Sequence, residues 1–196
     1  MDFKKAILAQ ELIAKKVIEK KLEREPNLIC GMDVSYNNEI GVGVAVVLSF
    51  PTLELLNYVV IKDKAPIPYI PTFLAFREMQ FLFKLFKRIK AELFMINGHG
   101  ICHPRGCGIA TQFGVAFKVP TIGIAKGLLK GLKLKNDYVL LNERIVGKKL
   151  NNIYVSIGNM ITLEEAIEIV LKCMKNSIPE PIRIAHNLSR RFINEG

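Results

Sequence analysis

Three strand-length apolar runs stand almost end to end, at residues 28–36, 41–49 and 55–62. Only the turn Asn37-Asn38-Glu39-Ile40 and a short break around Phe50-Pro51 separate them. Parallel neighbours need a crossover of about a dozen residues, and neither gap can hold one. The three runs must therefore pair as an antiparallel meander. Three prolines within 65–71 bar a helix or a central strand there. Beyond them helix and strand alternate: a helix over 72–90, a short buried strand at 93–96, a helix over 106–117 and a second buried strand at 121–124. Three antiparallel strands followed by this alternation predict an α/β domain with a mixed sheet and helices on both of its faces.

The remaining segments fit that frame. Ile7, Leu8, Leu12, Ile13, Val17 and Ile18 recur at helical spacing, which predicts an amphipathic helix over 3–24 that stops short of Pro26. Residues 137–157 predict further strands, broken at Asn151-Asn152. Thr162 with Glu165 has capping-box spacing ahead of a helix over 163–175. A last helix starts near Pro181, a residue suited to a first helical turn. With 196 residues, half of them apolar, the chain can build a sizeable core and is expected to be one domain over 1–196.

The N-terminus has no uninterrupted apolar run, so no signal peptide is expected. The longest apolar stretch, 40–50, contains two glycines and is too short to span a bilayer. A soluble, cytoplasmic monomer without a membrane partner is the expectation. Cys102, His103 and Cys107 lie close together, but zinc normally takes four ligands in paired spacing. The four cysteines form no CxxC pair and read as reduced thiols.

The formal net charge is +10. Arg77, Lys84, Lys87, Arg88 and Lys90 crowd one segment, and Lys126, Lys130, Lys133 and Lys135 another. Such clusters suit a polyanion such as nucleic acid, or are simply solvated faces. Asp33 is sharper, because it sits inside an otherwise apolar strand. A carboxylate there is costly unless it is paired or binds a metal. Glu78, early in a helix, is either a dipole-favoured surface residue or part of a site. Residues 97–105, Asn-Gly-His-Gly-Ile-Cys-His-Pro-Arg, follow a buried strand, where α/β sheets carry their ligand sites. Lys126 follows the next strand and could face a phosphate. His186, in the last helix, is either packed or a ligand.

Together, Gly31-Met32-Asp33-Val34-Ser35-Tyr36, Pro68-Tyr69-Ile70-Pro71 with Phe76-Arg77-Glu78, the 98–105 loop, and Pro120 through Lys126 resemble the signature blocks of endonuclease V, in order and spacing. The segments 154–158 and 181–186 also fit, so the likeness covers roughly 28–190. The resemblance implies an RNase H-like fold. It also implies a magnesium-dependent enzyme, with manganese as a substitute, that nicks DNA or RNA at the second phosphodiester 3′ to inosine. Carried over by position, Asp33, Glu78 and the residue at 97 are metal-site and catalytic groups, with His186 beside them. Pro68, Tyr69, Ile70 and Pro71 form a strand-separating wedge, and rigid apolar side chains suit unstacking. Gly98, Gly100, His103, Leu74, Ile109 and Leu129 wall a pocket for the flipped base. Lys126 faces the attacked phosphate, His103 is counted with the catalytic set, and Arg77 opens the basic helix expected to contact phosphates.

Position 97 departs from the family, which has aspartate there. Neutral Asn97 offers one carbonyl oxygen and no charge, so metal affinity should fall. Gly158-Asn159, where the family often has glycine and histidine, is a lesser departure. An impaired endonuclease, a silent binder of deaminated bases and another RNase H-like nuclease such as a junction resolvase are the three readings. The last leaves the wedge beside a glycine pocket without a purpose.

Overall fold

β1 (Leu28–Asn37), β2 (Ile40–Ser49) and β3 (Leu55–Lys64) form the expected antiparallel meander. They belong to a computed structural model that describes residues 2–195. β4 (Leu93–Asn97) lies parallel to β1, and β5 (Thr121–Ala125) parallel to β4. Next come β6 (Lys133–Lys135), β7 (Tyr138–Leu141), β8 (Arg144–Leu150) and β9 (Ile153–Asn159). β9 returns antiparallel against β5, giving a nine-stranded sheet of order β3-β2-β1-β4-β5-β9-β8-β7-β6. The three parallel strands are thus central, with antiparallel flanks on each side.

The helices are α1 (Phe3–Ala14), α2 (Leu74–Phe86), α3 (Ile109–Phe117), α4 (Leu163–Lys172) and α5 (Glu180–Asn194). Alternation along β1 sends its side chains to two cores. Ile29 joins the layer under α4 and α5, with Ile169, Ile182 and Ala185. Cys30 and Met32 join the layer under α2 and α3, with Phe81, Leu82, Leu85 and Phe113. Each large side chain buried in these layers contributes about 1.5–3 kcal/mol. Gly31 is required by the α5 packing, because a Cβ there would lie 2.2 Å from the Pro181 carbonyl oxygen.

Several boundaries differ from the sequence expectation. The first helix ends at Ala14, ten residues before the expected 24. Beyond it the backbone leaves the helix to bond elsewhere: Ile18 N donates to Asn159 Oδ1, Met160 N to Ile18 O, and Leu22 N to Glu165. Those tertiary bonds, with Val17 and Leu22 packed on the core, outweigh the helical periodicity. α2 starts at Leu74 and not at 72, because Thr72 has φ +67°. α3 starts at Ile109 and not at 106, where Gly106 has φ +62°. β6 has three exposed residues and no apolar alternation that could announce it. The Thr162–Glu165 capping box forms as its spacing predicts.

Candidate functional site

Asp33, in the middle of β1, and Asn97, the last residue of β4, stand side by side on neighbouring parallel strands. Met32 pairs with Ile96 in the β1–β4 register, so the next residue on each strand stands beside the other. Asn97 Nδ2 donates to Asp33 Oδ1 at 2.5 Å. The second carboxylate oxygen receives two more bonds, from His186 Nδ1 at 2.9 Å and from the Ser189 hydroxyl at 2.8 Å. Ser189 in turn is 2.7 Å from the Ser35 hydroxyl. Both α5 residues reach Asp33 because Gly31 lets that helix lie directly on β1. Burial alone would raise the Asp33 pKa, but the bonds from His186, Asn97 and Ser189 outweigh it and hold the carboxylate below its usual range.

Glu78 is also buried. Burial first, and then the charge of Asp33, push its pKa well above the usual carboxylate range, and Arg77 opposes them only in part. Two buried carboxylates that repel each other need a cation to ionise together. Arg77 is a poor candidate for that cation and for a phosphate contact. It is buried, stacks 3.9 Å over the Tyr36 ring and donates to Ile67 O at 2.7 Å. The other cations of its segment, Lys84, Lys87, Arg88 and Lys90, are exposed, and Lys84 pairs with Asp63. Among the described residues no three His, Cys, Asp or Glu side chains converge as a complete metal-binding group. The structure therefore brings Asp33, Asn97 and His186 into direct contact, with Glu78 in electrostatic reach.

A cavity of about 70 Å³ opens beside the end of β4. Leu74, Gly98, His103, Ile109 and Leu129, which the resemblance assigned to the base pocket, line it, and so does Tyr69, which the resemblance assigned to the wedge. Gly98 has φ +151°, and a Cβ on it would lie 2.4 Å from Ile109 Cγ2. Gly100 stands apart from the cavity wall. Its missing side chain admits β9, whose Ile157 carbonyl oxygen would be 2.0 Å from a Cβ. Tyr69 is 61 % exposed at the tip of the proline segment, between exposed Pro68 and Pro71, with Ile70 half-buried. Lys126 is exposed just past β5. The loop after it is tied to the cavity by His99 Nε2, which donates to Gly127 O at 2.8 Å.

Gln10 and Thr72, which help build this region, carry no sequence signal. Gln10, from α1, is buried and donates to Thr72 O at 2.8 Å while accepting from Arg105 Nε at 2.6 Å. Arg105 also donates to the Thr72 hydroxyl at 2.8 Å. His103 Nε2 donates to Thr72 O at 3.0 Å, and its Nδ1 accepts from Arg105 N at 3.2 Å. Thr72, at its positive φ, is thereby clamped between α1 and the 103–105 loop, which fixes the base of the proline segment. Burial lowers the His103 pKa to about 4, against the opposing bond to Thr72, so the ring is neutral near pH 7. His99 is lowered in the same direction by burial, opposed by its bond to Gly127.

No helix among the described residues is long and apolar enough to cross a membrane. Residues 10–187 match the family model for endonuclease V. Endonuclease V of Dictyoglomus turgidum is 36 % identical over 208 residues, covering 98 % of this chain and 91 % of that protein. The crystal structure of the catalytic domain of human endonuclease V superposes with a TM-score of 0.91 at 27 % identity, covering 98 % of this chain and 96 % of that one. Endonuclease V of Ciona intestinalis, solved with a 24mer DNA containing an inosine followed by a ribo-adenosine, superposes with a TM-score of 0.87 at 28 % identity, covering 98 % of each chain.

Proposed function

The chain belongs to the endonuclease V family and has its RNase H-like fold, and on that basis we propose that it is a metal-dependent endonuclease acting at inosine in DNA or RNA. The nick falls at the second phosphodiester 3′ to the deaminated base and leaves a 3′-hydroxyl and a 5′-phosphate. The observation that carries this reading is the cavity lined by Tyr69, Leu74, Gly98, His103, Ile109 and Leu129 beside the end of β4, where Asn97 meets Asp33. The Ciona relative's inosine-containing DNA supports the same ligand.

The donor set fits a divalent cation. Asp33 and Glu78 are buried carboxylates; burial first, and then the charge of Asp33, raise Glu78, and a cation held by both would offset that cost. Asp33, Glu78 and an amide oxygen of Asn97 would hold it, with His186 and Ser189 orienting Asp33 from behind. A bound magnesium or manganese ion would supply Lewis acidity at the phosphate and a water of lowered pKa. Lys126, beyond β5, neutralises charge developing on the attacked phosphate. Tyr69 and its flanking prolines hold the strands apart once the base has left the stack. Gly98 lets that base approach the backbone closely.

One observation favours a second reading, a binder that recognises the lesion without cutting. Asn97 turns its amide hydrogens toward Asp33, and to offer oxygen to a cation it must give up that bond. Electrophoretic shift in calcium tests what the two readings share. Inosine strands should bind more tightly than adenosine controls at equal salt, and equal affinity would remove the lesion assignment.

A further inference from the structure

One backbone oxygen ties α1, the proline segment and the loop after β4 together. Thr72 O accepts from Gln10 Nε2 at 2.8 Å, from His103 Nε2 at 3.0 Å and from Arg105 Nη2 at 3.1 Å. A carbonyl has two lone pairs, so three donors are more than its own satisfaction needs. Gln10 is the member that comes from the N-terminal helix. It is 1 % exposed, its amide nitrogen also reaches Cys107 O at 3.4 Å, and its oxygen accepts from Arg105 Nε at 2.6 Å. The next residue is held as well. Phe73 lies edge-on to Phe3 of α1, with ring centroids 5.4 Å apart, and the Arg105 guanidinium lies 4.7 Å over its ring.

What these contacts hold is a strained turn. Thr72 has φ +67°, a left-handed conformation that a β-branched residue rarely adopts. Such a residue stays there only where its surroundings over-determine it. Thr72 is also the pivot between Pro71 and α2, which begins at Leu74. Tyr69 stands just before the pivot, exposed and on the rim of the cavity it helps to line. A return of Thr72 to negative φ would swing Pro68, Tyr69, Ile70 and Pro71 away from that cavity.

We propose that Gln10 is a positioning residue for Tyr69: by clamping Thr72 in its left-handed turn, α1 sets where the wedge meets nucleic acid. Gln10 borders the cavity too, but both ends of its amide are engaged by the protein, so it acts through Thr72 and not on a base. This inference rests on the wedge role proposed above and adds the element that holds the wedge in place.

Equilibrium binding in calcium buffer, to duplexes with inosine or adenosine at one position, tests it through a double-variant cycle. Gln10→Leu keeps the bulk and opens the clamp. It should weaken inosine-duplex binding about tenfold, within the worth of an aromatic stacked on a base. Tyr69→Ala removes the group being positioned, so adding Gln10→Leu to it should cost no more than about a further twofold. In the Gln10→Leu background, Thr72→Asn should recover most of the loss, because asparagine accepts positive φ far more readily than threonine. A glutamine that merely stabilised the fold would weaken binding alike with and without Tyr69. The inference is overturned if folded Gln10→Leu binds as the unmodified chain does, if its loss is undiminished beside Tyr69→Ala, or if Thr72→Asn recovers nothing. Should Gln10→Leu fail to fold, Arg105→Leu opens the same clamp from the loop side and carries the same cycle. Tyr69→Ala binding at full affinity would overturn the wedge itself, and the inference with it. Equal affinity of the unmodified chain for inosine and adenosine would instead overturn the lesion-binding reading.

Discussion

Asn97 and Asp33, side by side on parallel strands β4 and β1, share a hydrogen bond in which the amide donates and the carboxylate accepts. Asn97 is therefore a stabilising partner for a buried charge. Asn97→Asp would replace that bond with a third carboxylate near Asp33 and Glu78. In chelator the variant should lose about 1–3 kcal/mol of stability, seen as a lower Tm. Millimolar magnesium should recover it, because a ligand that binds only the folded state raises its stability. A variant as stable as the unmodified chain in chelator would contradict the role given to the bond.

The two loop glycines should fail differently. At Gly98 a Cβ meets Ile109 Cγ2 and then Leu74 Cδ2 at 3.6 Å, both on the cavity wall. Gly98→Ala should abolish the inosine preference, at a backbone strain of about 1–3 kcal/mol. At Gly100 a Cβ meets backbone, the Ile157 carbonyl. Gly100→Ala should instead lower stability by several kcal/mol by pushing the loop off β9. Thermal unfolding and binding on both variants check this; an unchanged Tm for Gly100→Ala would sink the packing explanation.

His103 sets an acid limit. Its pKa is lowered to about 4 in the folded protein, against an ordinary value near 6.5. A lowered histidine stabilises the fold fully above its unfolded pKa, and that stability is lost as pH falls toward the folded one. Between pH 6.5 and 4 the chain should lose on the order of 3 kcal/mol through this residue. His103→Gln, which can still donate to Thr72 O, should flatten that part of the stability–pH curve. An identical acid slope in the variant would show that His103 is not the responsible group.

The site was legible in the sequence where chemistry broke a pattern. Asp33 stood out because a carboxylate interrupts an apolar strand, and Asn97 because it stands where the resembled family has aspartate. The sheet's first half was legible because short gaps leave antiparallel pairing as the only choice. Contacts between distant segments were not. The first helix stops at Ala14 because Asn159 and Glu165, far away in sequence, capture the backbone that follows. Arg77 looks like a surface cation in a basic run, yet Tyr36 and Ile67 bury it. Ser189 and Gln10 look like ordinary helical polar residues, and only the fold brings them to Asp33 and Thr72. Gly100 was expected in the base pocket, but β9 packs against it instead, a contact between distant segments that the sequence does not show.

Tyr69 separates binding from stability. The side chain is largely exposed and makes no core packing, so Tyr69→Ala should change stability by no more than about 0.5 kcal/mol. If it holds unstacked bases apart, affinity for inosine strands should fall by about 1–3 kcal/mol, the usual worth of an aromatic stacked on a base. Titration of the variant against the same oligonucleotides would show this, and unchanged affinity would remove Tyr69 from the interface.

If Asp33, Glu78 and Asn97 form an endonuclease site short of one carboxylate, single-turnover cleavage of labelled inosine DNA and RNA shows it most directly. The unmodified chain should cut slowly or not at all in magnesium, with manganese restoring part of the rate, since it tolerates neutral ligands better. Asn97→Asp should cut at the second phosphodiester 3′ to inosine at least about a hundredfold faster, a difference of roughly 3 kcal/mol in barrier. Full-speed cleavage by the unmodified chain, or no gain in a folded Asn97→Asp variant that still binds inosine strands, would contradict it.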